Sequence, residues 1–201
     1  MAKDDQQEAY EKTLSASYTR VMDAQKFAET KNAALLTFCS AWILATVNIV
    51  SSNHDAPYDL SKFALIALPF FAGGALFAIK SILPRTLLTR FDPTKADKNL
   101  VYFGDIAELE PVAFRAQVRA RYFPAAGQTA TDAYLGDLAT QISVNSRITL
   151  RKHQLFERGA ITTLIGILII IVPLAIEGLG WFLSRSIVQA AIAMFKGSVA
   201  P

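Results

Sequence analysis

Between residues 141 and 152 the chain reads QISVNSRITLRK. Gln141, Asn145, Arg147, Arg151 and Lys152 set amide and cationic donors over about three helical turns. Gln141 and Asn145 share one helix face, and Arg147 and Arg151 share another, each pair spaced i, i+4. Elsewhere in the chain Tyr102 and Phe103 offer flat rings and Asp105 an acceptor. Rings that stack, amides that read a base edge and cations that neutralise phosphate are the set a nucleotide needs. Each residue also has a plainer use. Arg and Lys next to a membrane snorkel or meet anionic lipid, and neighbouring aromatic residues fill cores.

Catalytic chemistry is poorly supplied. His54 and His153 fall in segments that the charge pattern, given below, puts on opposite sides of a membrane, so they cannot share a metal. No HExxH, GxSxG, P-loop or GxGxxG is present. Asp105, Glu108 and Glu110 cluster, but the start of a helix attracts acidic residues anyway. The single cysteine, Cys39, can form neither an internal disulfide nor a zinc site and reads as a small packing residue. The sequence therefore predicts no catalytic residue, no metal and no cofactor, and a protein that is not an enzyme.

The elements that carry these residues follow from hydropathy. Of 201 residues, 52% are hydrophobic and 18% charged. The apolar excess sits in three blocks rather than being spread, which points to a membrane protein. The net charge of +3 is mild and does not argue for a nucleic-acid polymer as partner. The blocks predict spans at 33–50, 63–80 and 159–183, each close to the ~20 apolar residues that cross ~30 Å of hydrocarbon. The acidic, polar start MAKDDQQEAYEK lacks a signal-peptide pattern, so the first span is expected to act as its own insertion signal. Lys and Arg crowd residues 1–32 and 81–158, whereas the short loop 51–62 holds only Lys62. The positive-inside rule then makes 1–32 and 81–158 cytoplasmic and the short loop external. Trp181 falls at the outer interface. The tail 184–201 reads either as an interfacial amphipathic helix or as a segment that re-enters.

In the cytoplasmic parts, Tyr10, Leu14, Val21 and Phe27 recur at near-helical spacing amid charge, predicting an amphipathic helix over 1–32. No Gly or Pro separates it from the first span. Pro84 and the Phe-Asp-Pro at 91–93 predict breakers. NLVYFGDIAEL (99–109) reads as a short strand or a tight turn around Gly104. Pro111 to Tyr122 reads as a helix, 124–129 as a loop, and Thr131 onward as a helix with Leu135, Leu138, Ile142, Ile148 and Leu155 on one side. Thr131 or Asp132 is its expected cap. This helix, too, reaches its span with no breaker before Gly159. The expected fold is an all-α membrane protein of about three transmembrane helices. Their long cytoplasmic extensions form a small helical module. A continuous helix resists bending, so motion in such a module would reach the bilayer.

The spans carry a second pattern. Thr37, Ser40 and Asn48, with Ala41 and Ala45, form a small polar stripe. Gly73, Gly74 and Ala78 follow in the second span, and Gly159, Thr163, Gly166, Pro173 and Glu177 in the third. Small residues let helices approach closely and hydroxyls bond across them. The stripes fit packing within one bundle, and they fit a self-associating interface or a pore lining. Pro173 would let the third span bend.

Three segments together are similar to one known family: FAETKNAALLTF (27–38), VYFGDIAEL (101–109) and DLATQISVNSRITLRKHQLFERGA (137–160). With the span order, they make the chain resemble the Pycsar effector transmembrane family of bacterial anti-phage defence over roughly residues 5–180. Glu29 stands where that family often has Asp, and Asn32 where it often has Ala. Lys31, within the first segment, joins the candidate ligand-binding residues. The resemblance implies a multi-pass protein of the bacterial inner membrane. A partner cyclase would make a cyclic nucleotide such as cyclic CMP or cyclic UMP. The effector would bind it and compromise the membrane, stopping growth before phage matures. Three spans enclose no water path alone, so a homo-oligomer is expected. The alternative is a non-enzymatic anchor that brings a signalling partner to the membrane.

Overall fold

The computed structural model describes residues 3–51, 60–83 and 98–197, with side chains described over 5–51, 60–83 and 98–187. It holds five helices: α1 (Lys3–Ser51), α2 (Leu60–Ile82), α3 (Phe103–Ala107), α4 (Pro111–Tyr122) and α5 (Asp132–Gly197). Among the described residues there is no strand. The segment 99–109 is a turn followed by the short α3, so the strand alternative is not taken up. The expected breakers at Pro84 and 91–93, and His54 in the short loop, lie outside the described residues.

Helix ends follow local chemistry. α1 runs for 49 residues without a Gly or Pro. Pro111 opens α4 at a position where its missing N–H costs nothing, and Arg119 and Arg121 sit in the last turn near the partial negative charge of the carbonyl end. Thr131 caps α5. Its Oγ1 accepts the Tyr134 N–H at 3.2 Å and donates to the Arg121 carbonyl at 3.1 Å. α5 then continues unbroken past Gly159 and Pro173 to Gly197.

The chain divides into two compact units. The apolar unit comprises Leu35–Phe77 and Arg158–Pro201. α1 and α5 run parallel within it and α2 runs antiparallel to both. The crossing point is made of residues without bulk. A Cβ on Gly74 would lie 2.2 Å from Thr163 Oγ1, 3.0 Å from Cys39 Sγ and 3.2 Å from the Gly159 carbonyl oxygen. A Cβ on Gly159 would meet Leu35 Cδ2 at 2.9 Å, and one on Gly166 would meet Phe71 at 3.0 Å. Thr163 Oγ1 donates to the Gly159 carbonyl at 2.8 Å and lies 3.2 Å from Cys39 Sγ. With the hydroxyl proton so used, the thiol is the donor to Thr163. Above this, the Trp42 and Phe71 rings stack at 5.3 Å, and Ala67, Phe71 and Ile170 form the buried core.

Of the span residues singled out in the sequence, Gly74, Thr163 and Gly166 lie buried in this helix contact. Thr37, Ser40 and Asn48 lie on the exposed face of α1, opposite Leu35, Cys39 and Thr46, which are buried. Pro173 is half-buried in α5. Among the described residues, three helices are long and apolar enough to cross a membrane, with windows of mean hydropathy 1.9, 1.9 and 2.6. Only 17%, 33% and 22% of those windows is buried, so most of their apolar surface points outward, as lipid-facing surface does.

The polar unit comprises Met1–Ala34 and Ala78–Glu157. Its core is thin. Leu100, Ala130, Leu135, Leu138 and Leu155 are buried beside polar Asn32, Ser81, Gln141 and Thr149. Gln7 Nε2 donates to the Ala130 carbonyl at 2.5 Å, and Lys152 pairs with Glu29, so α1 and α5 run parallel here as well.

The glycine contact generates a stability prediction. In detergent, Gly74→Ala should destabilise the chain by the ~1–3 kcal/mol typical of overpacking, and so lower its melting temperature. Gly178→Ala, where a Cβ would touch nothing within 4 Å, should leave it unchanged or raise it. Equal melting of the two variants would remove the contact as the point of closest packing.

Candidate functional site

The polar unit carries all of the candidate ligand-binding residues, and they occupy separate places within it. Asp105 accepts the Asn99 backbone N–H at 2.8 Å and so shapes the turn before α3. Tyr102 packs on Phe103 with ring centroids 4.9 Å apart, and its ring covers Gly104, where a Cβ would clash at 2.5 Å. Phe103 itself is 71% exposed. On α5, Gln141 is buried, Asn145 and Arg151 are half-buried, and Arg147 is exposed. Lys152 is turned to Glu29 of α1, and the Lys152 carbonyl accepts from Asn32 Nδ2 at 3.4 Å. The Lys31 ammonium lies 4.4 Å from the Phe27 ring centroid and 5.5 Å from that of Phe156, a cation–π position between α1 and α5. The two departures noted in the sequence, Glu29 and Asn32, are thus both used to join these helices.

A polar knot at Asp137 holds the unit's smaller helices to α5. Arg121 Nη2 lies 3.1 Å from both Asp137 oxygens, and the Tyr122 hydroxyl donates to the same carboxylate. Arg121 Nη1 donates to the Lys98 carbonyl at 2.9 Å, and Asn99 Nδ2 to the Asp137 carbonyl at 3.0 Å. The Tyr122 phenol is pushed well above the ordinary tyrosine range, first by burial and then by its hydrogen bond to Asp137. The sequence reading did not find this knot. The available signal was an acid, Asp137, set between Leu135 and Leu138, both buried, where a lone carboxylate would be costly.

A cavity of about 550 Å³ lies elsewhere in the unit, between the first turns of α1 and of α5. Gln6, Gln7, Tyr10, Gln128, Asp132 and Gly136 line it. None of the residues singled out as candidate ligands is among them. The sequence reading missed it because Gln6 and Gln128 stand more than a hundred residues apart and no local pattern joins them. Among the described residues, no three His, Cys, Asp or Glu side chains gather where a metal ion could sit.

Three lipid-facing helices and a polar helical unit bearing a groove define an all-α, multi-span membrane protein with a separate polar module. The Pycsar effector protein domain matches residues 13–177. The chain is 36% identical over 174 residues to the Pycsar effector protein RsPycTM of a Rhizobium species, an alignment that covers 86% of this chain and 98% of that protein. No solved structure matches it. The chain belongs to the Pycsar effector protein family, whose members act in anti-phage defence.

The Asp137 knot generates a pH prediction. Because the Tyr122 phenol is raised in the folded state, its contribution to stability is complete below about pH 10, the ordinary tyrosine value, and is lost as pH rises toward its folded value. Denaturation of the intact protein between pH 9 and 11.5 should therefore show falling stability. Tyr122→Phe should be less stable at pH 8, by the ~0.5–1.5 kcal/mol of one hydrogen bond, and should lose less with alkali. A variant with the same alkaline slope as the unmodified protein would show that Tyr122 does not report on the knot.

Proposed function

We propose that this protein is a ligand-gated effector that binds a cyclic nucleotide in its polar unit and then compromises the inner membrane. The observation that carries this reading is the unbroken course of α1 and α5, each of which contributes residues to the polar unit and to a membrane span. Hydrogen bonds restrain φ and ψ through a helix interior, so a change at the polar end is passed along α1 and α5 more readily than through a loop, and ordering the polar unit around a ligand alters the load on the spans. Family membership supports the anti-phage setting and the origin of the ligand in a partner cyclase. The Lys and Arg bias supports a cytoplasmic polar unit, where such a messenger would be met.

The spans supply the output. In a single chain the Gly74, Gly159 and Gly166 contacts bring the three described spans close together, and three closely packed helices are too few to enclose a water path. Damage therefore requires several copies. The exposed α1 face bearing Thr37, Ser40 and Asn48 suits such assembly, because small and hydroxyl-bearing residues let helices approach in lipid. The ligand acts by favouring the assembled state, and it can do so only to the extent that it binds that state better.

Purified protein reconstituted into dye-loaded vesicles, with a panel of cyclic mononucleotides and dinucleotides added outside, tests the reading. One cyclic nucleotide should release the dye. At a concentration of about 100 Kd, the same nucleotide should stabilise the protein by ~2.7 kcal/mol. Binding without release would favour a messenger-dependent anchor. No binding and no release across the panel would end the cyclic-nucleotide reading. Ligand-bound protein that stays monomeric in detergent while still leaking vesicles would remove the requirement for assembly.

A further inference from the structure

We infer that the groove between the first turns of α1 and α5 is the seat of the nucleobase, with Tyr10 as its stacking surface and Gln6, Gln7 and Gln128 reading its edge. The assignment rests on the cyclic-nucleotide reading above and names the place in the polar unit where that ligand is held. The groove's volume of about 550 Å³ falls within the ~300–1,000 Å³ range of small-molecule sites.

Gly136 is the first reason. It stands inside α5, where glycine costs about 1 kcal/mol relative to alanine. Gly74, Gly159 and Gly166 each accommodate a neighbour that a Cβ would strike. At Gly136, as at Gly178 and Gly180, a Cβ would meet nothing within 4 Å among the described residues, but of these three only Gly136 borders the groove. What the glycine does is keep the wall of the groove flat. A planar ring can approach the α5 backbone there, over the apolar side chains of Leu135 and Ala139 that complete the lining.

The second reason is the type of side chain. A carboxamide presents a donor and an acceptor side by side, the same pairing that the hydrogen-bonding edge of a pyrimidine or purine presents. Three of them converge on one small groove. Gln7 is anchored at the rim by its bond to the Ala130 carbonyl, so its amide is already oriented. The Tyr10 ring, 53% exposed, stands beside them with a face that any base can cover.

Charge sets the ligand's orientation. Among the described lining residues there is no Lys or Arg, and Asp132 brings a carboxylate. An anionic phosphate is repelled from that lining, whereas a sugar hydroxyl can donate to Asp132. The base therefore enters, the sugar lies against the start of α5, and the cyclic phosphate faces solvent. The cations at Arg147, Arg151 and Lys152 take no part in this site.

Calorimetry of the full-length protein with cyclic CMP and cyclic UMP as probes, alongside the cyclic-nucleotide panel, tests the assignment. Gly136→Trp fills the groove from a position with free space around it and should abolish binding. Tyr10→Ala should weaken binding by roughly tenfold, the loss of one base–aromatic stack. Both positions are exposed, so helix content by circular dichroism and the melting temperature should stay close to those of the unmodified protein, and this is measured on each variant. If the unmodified protein binds and both variants bind within twofold of it, the groove assignment is overturned and the cyclic-nucleotide reading survives. Loss of binding in Arg147→Glu with full retention in Tyr10→Ala overturns it equally and moves the site to residues 141–152. If the unmodified protein binds no cyclic nucleotide at all, the wider reading falls and the assignment with it.

Discussion

The apolar unit depends on one close contact, the place where α2 meets α5 with no Cβ on Gly74 or Gly159 between them. In a bilayer there is no gain from hiding apolar side chains against each other, since the lipid is as apolar as they are. Cohesion has to come from dispersion and short polar contacts, and both fall off steeply with distance. At Gly74 the backbones of α2 and α5 are near enough for a Cβ to overlap Thr163, and beside it the Cys39 thiol of α1 bonds to the Thr163 hydroxyl of α5. The aromatic stack of Trp42 on Phe71 and the cluster around Ile170 pack in the same unit.

The polar unit is held in a different way. Its apolar core is thin and its joints are specific. Asp137 gathers Arg121, Tyr122 and, through its backbone, Asn99, while Lys152 with Glu29 and Gln7 with Ala130 tie α1 to α5. Several buried polar atoms, among them Asn32 Oδ1, Ser81 Oγ and Thr149 Oγ1, have no hydrogen-bond partner among the described residues. Each such atom costs on the order of 1–3 kcal/mol. A core with that composition has little stability in reserve, which suits a unit whose proposed task is to change on meeting a ligand.

Much of the fold could be read from local pattern. Hydropathy picked out three helices long and apolar enough to cross lipid, because a helix must satisfy its backbone internally to do so, and that requirement produces long apolar runs. Pro111 marked the start of α4, and of the two caps expected for α5, Thr131 and Asp132, Thr131 is the one that serves. The apolar side expected for α5 was close to the observed one: Leu135, Leu138 and Leu155 are buried, with Ile142 and Ile148 half-buried. It did not show that Gln141 and Thr149 share the buried side, because polar side chains give hydropathy no signal for burial. The strand considered for 99–109 failed for a similar reason. Its β-branched and aromatic residues are held in a turn by the Asn99 and Asp105 side chains, which compete with any ladder.

The candidate site was the least legible part. Arg147 and Lys152 looked equivalent as cations on one helix, yet Arg147 is exposed while Lys152 is committed to Glu29. Gln6, Tyr10 and Gln128 had no reason to be read together until α1 and α5 were seen to lie parallel. The amino-acid sequence by itself determined the membrane class, the helical content and the family, because these depend on periodicity and composition along a continuous stretch of chain. Only the tertiary structure decided which polar residues are spent on joints and which are gathered around a groove, because that depends on partners on other helices, from about fifteen to more than a hundred residues away, and local pattern carries no record of them.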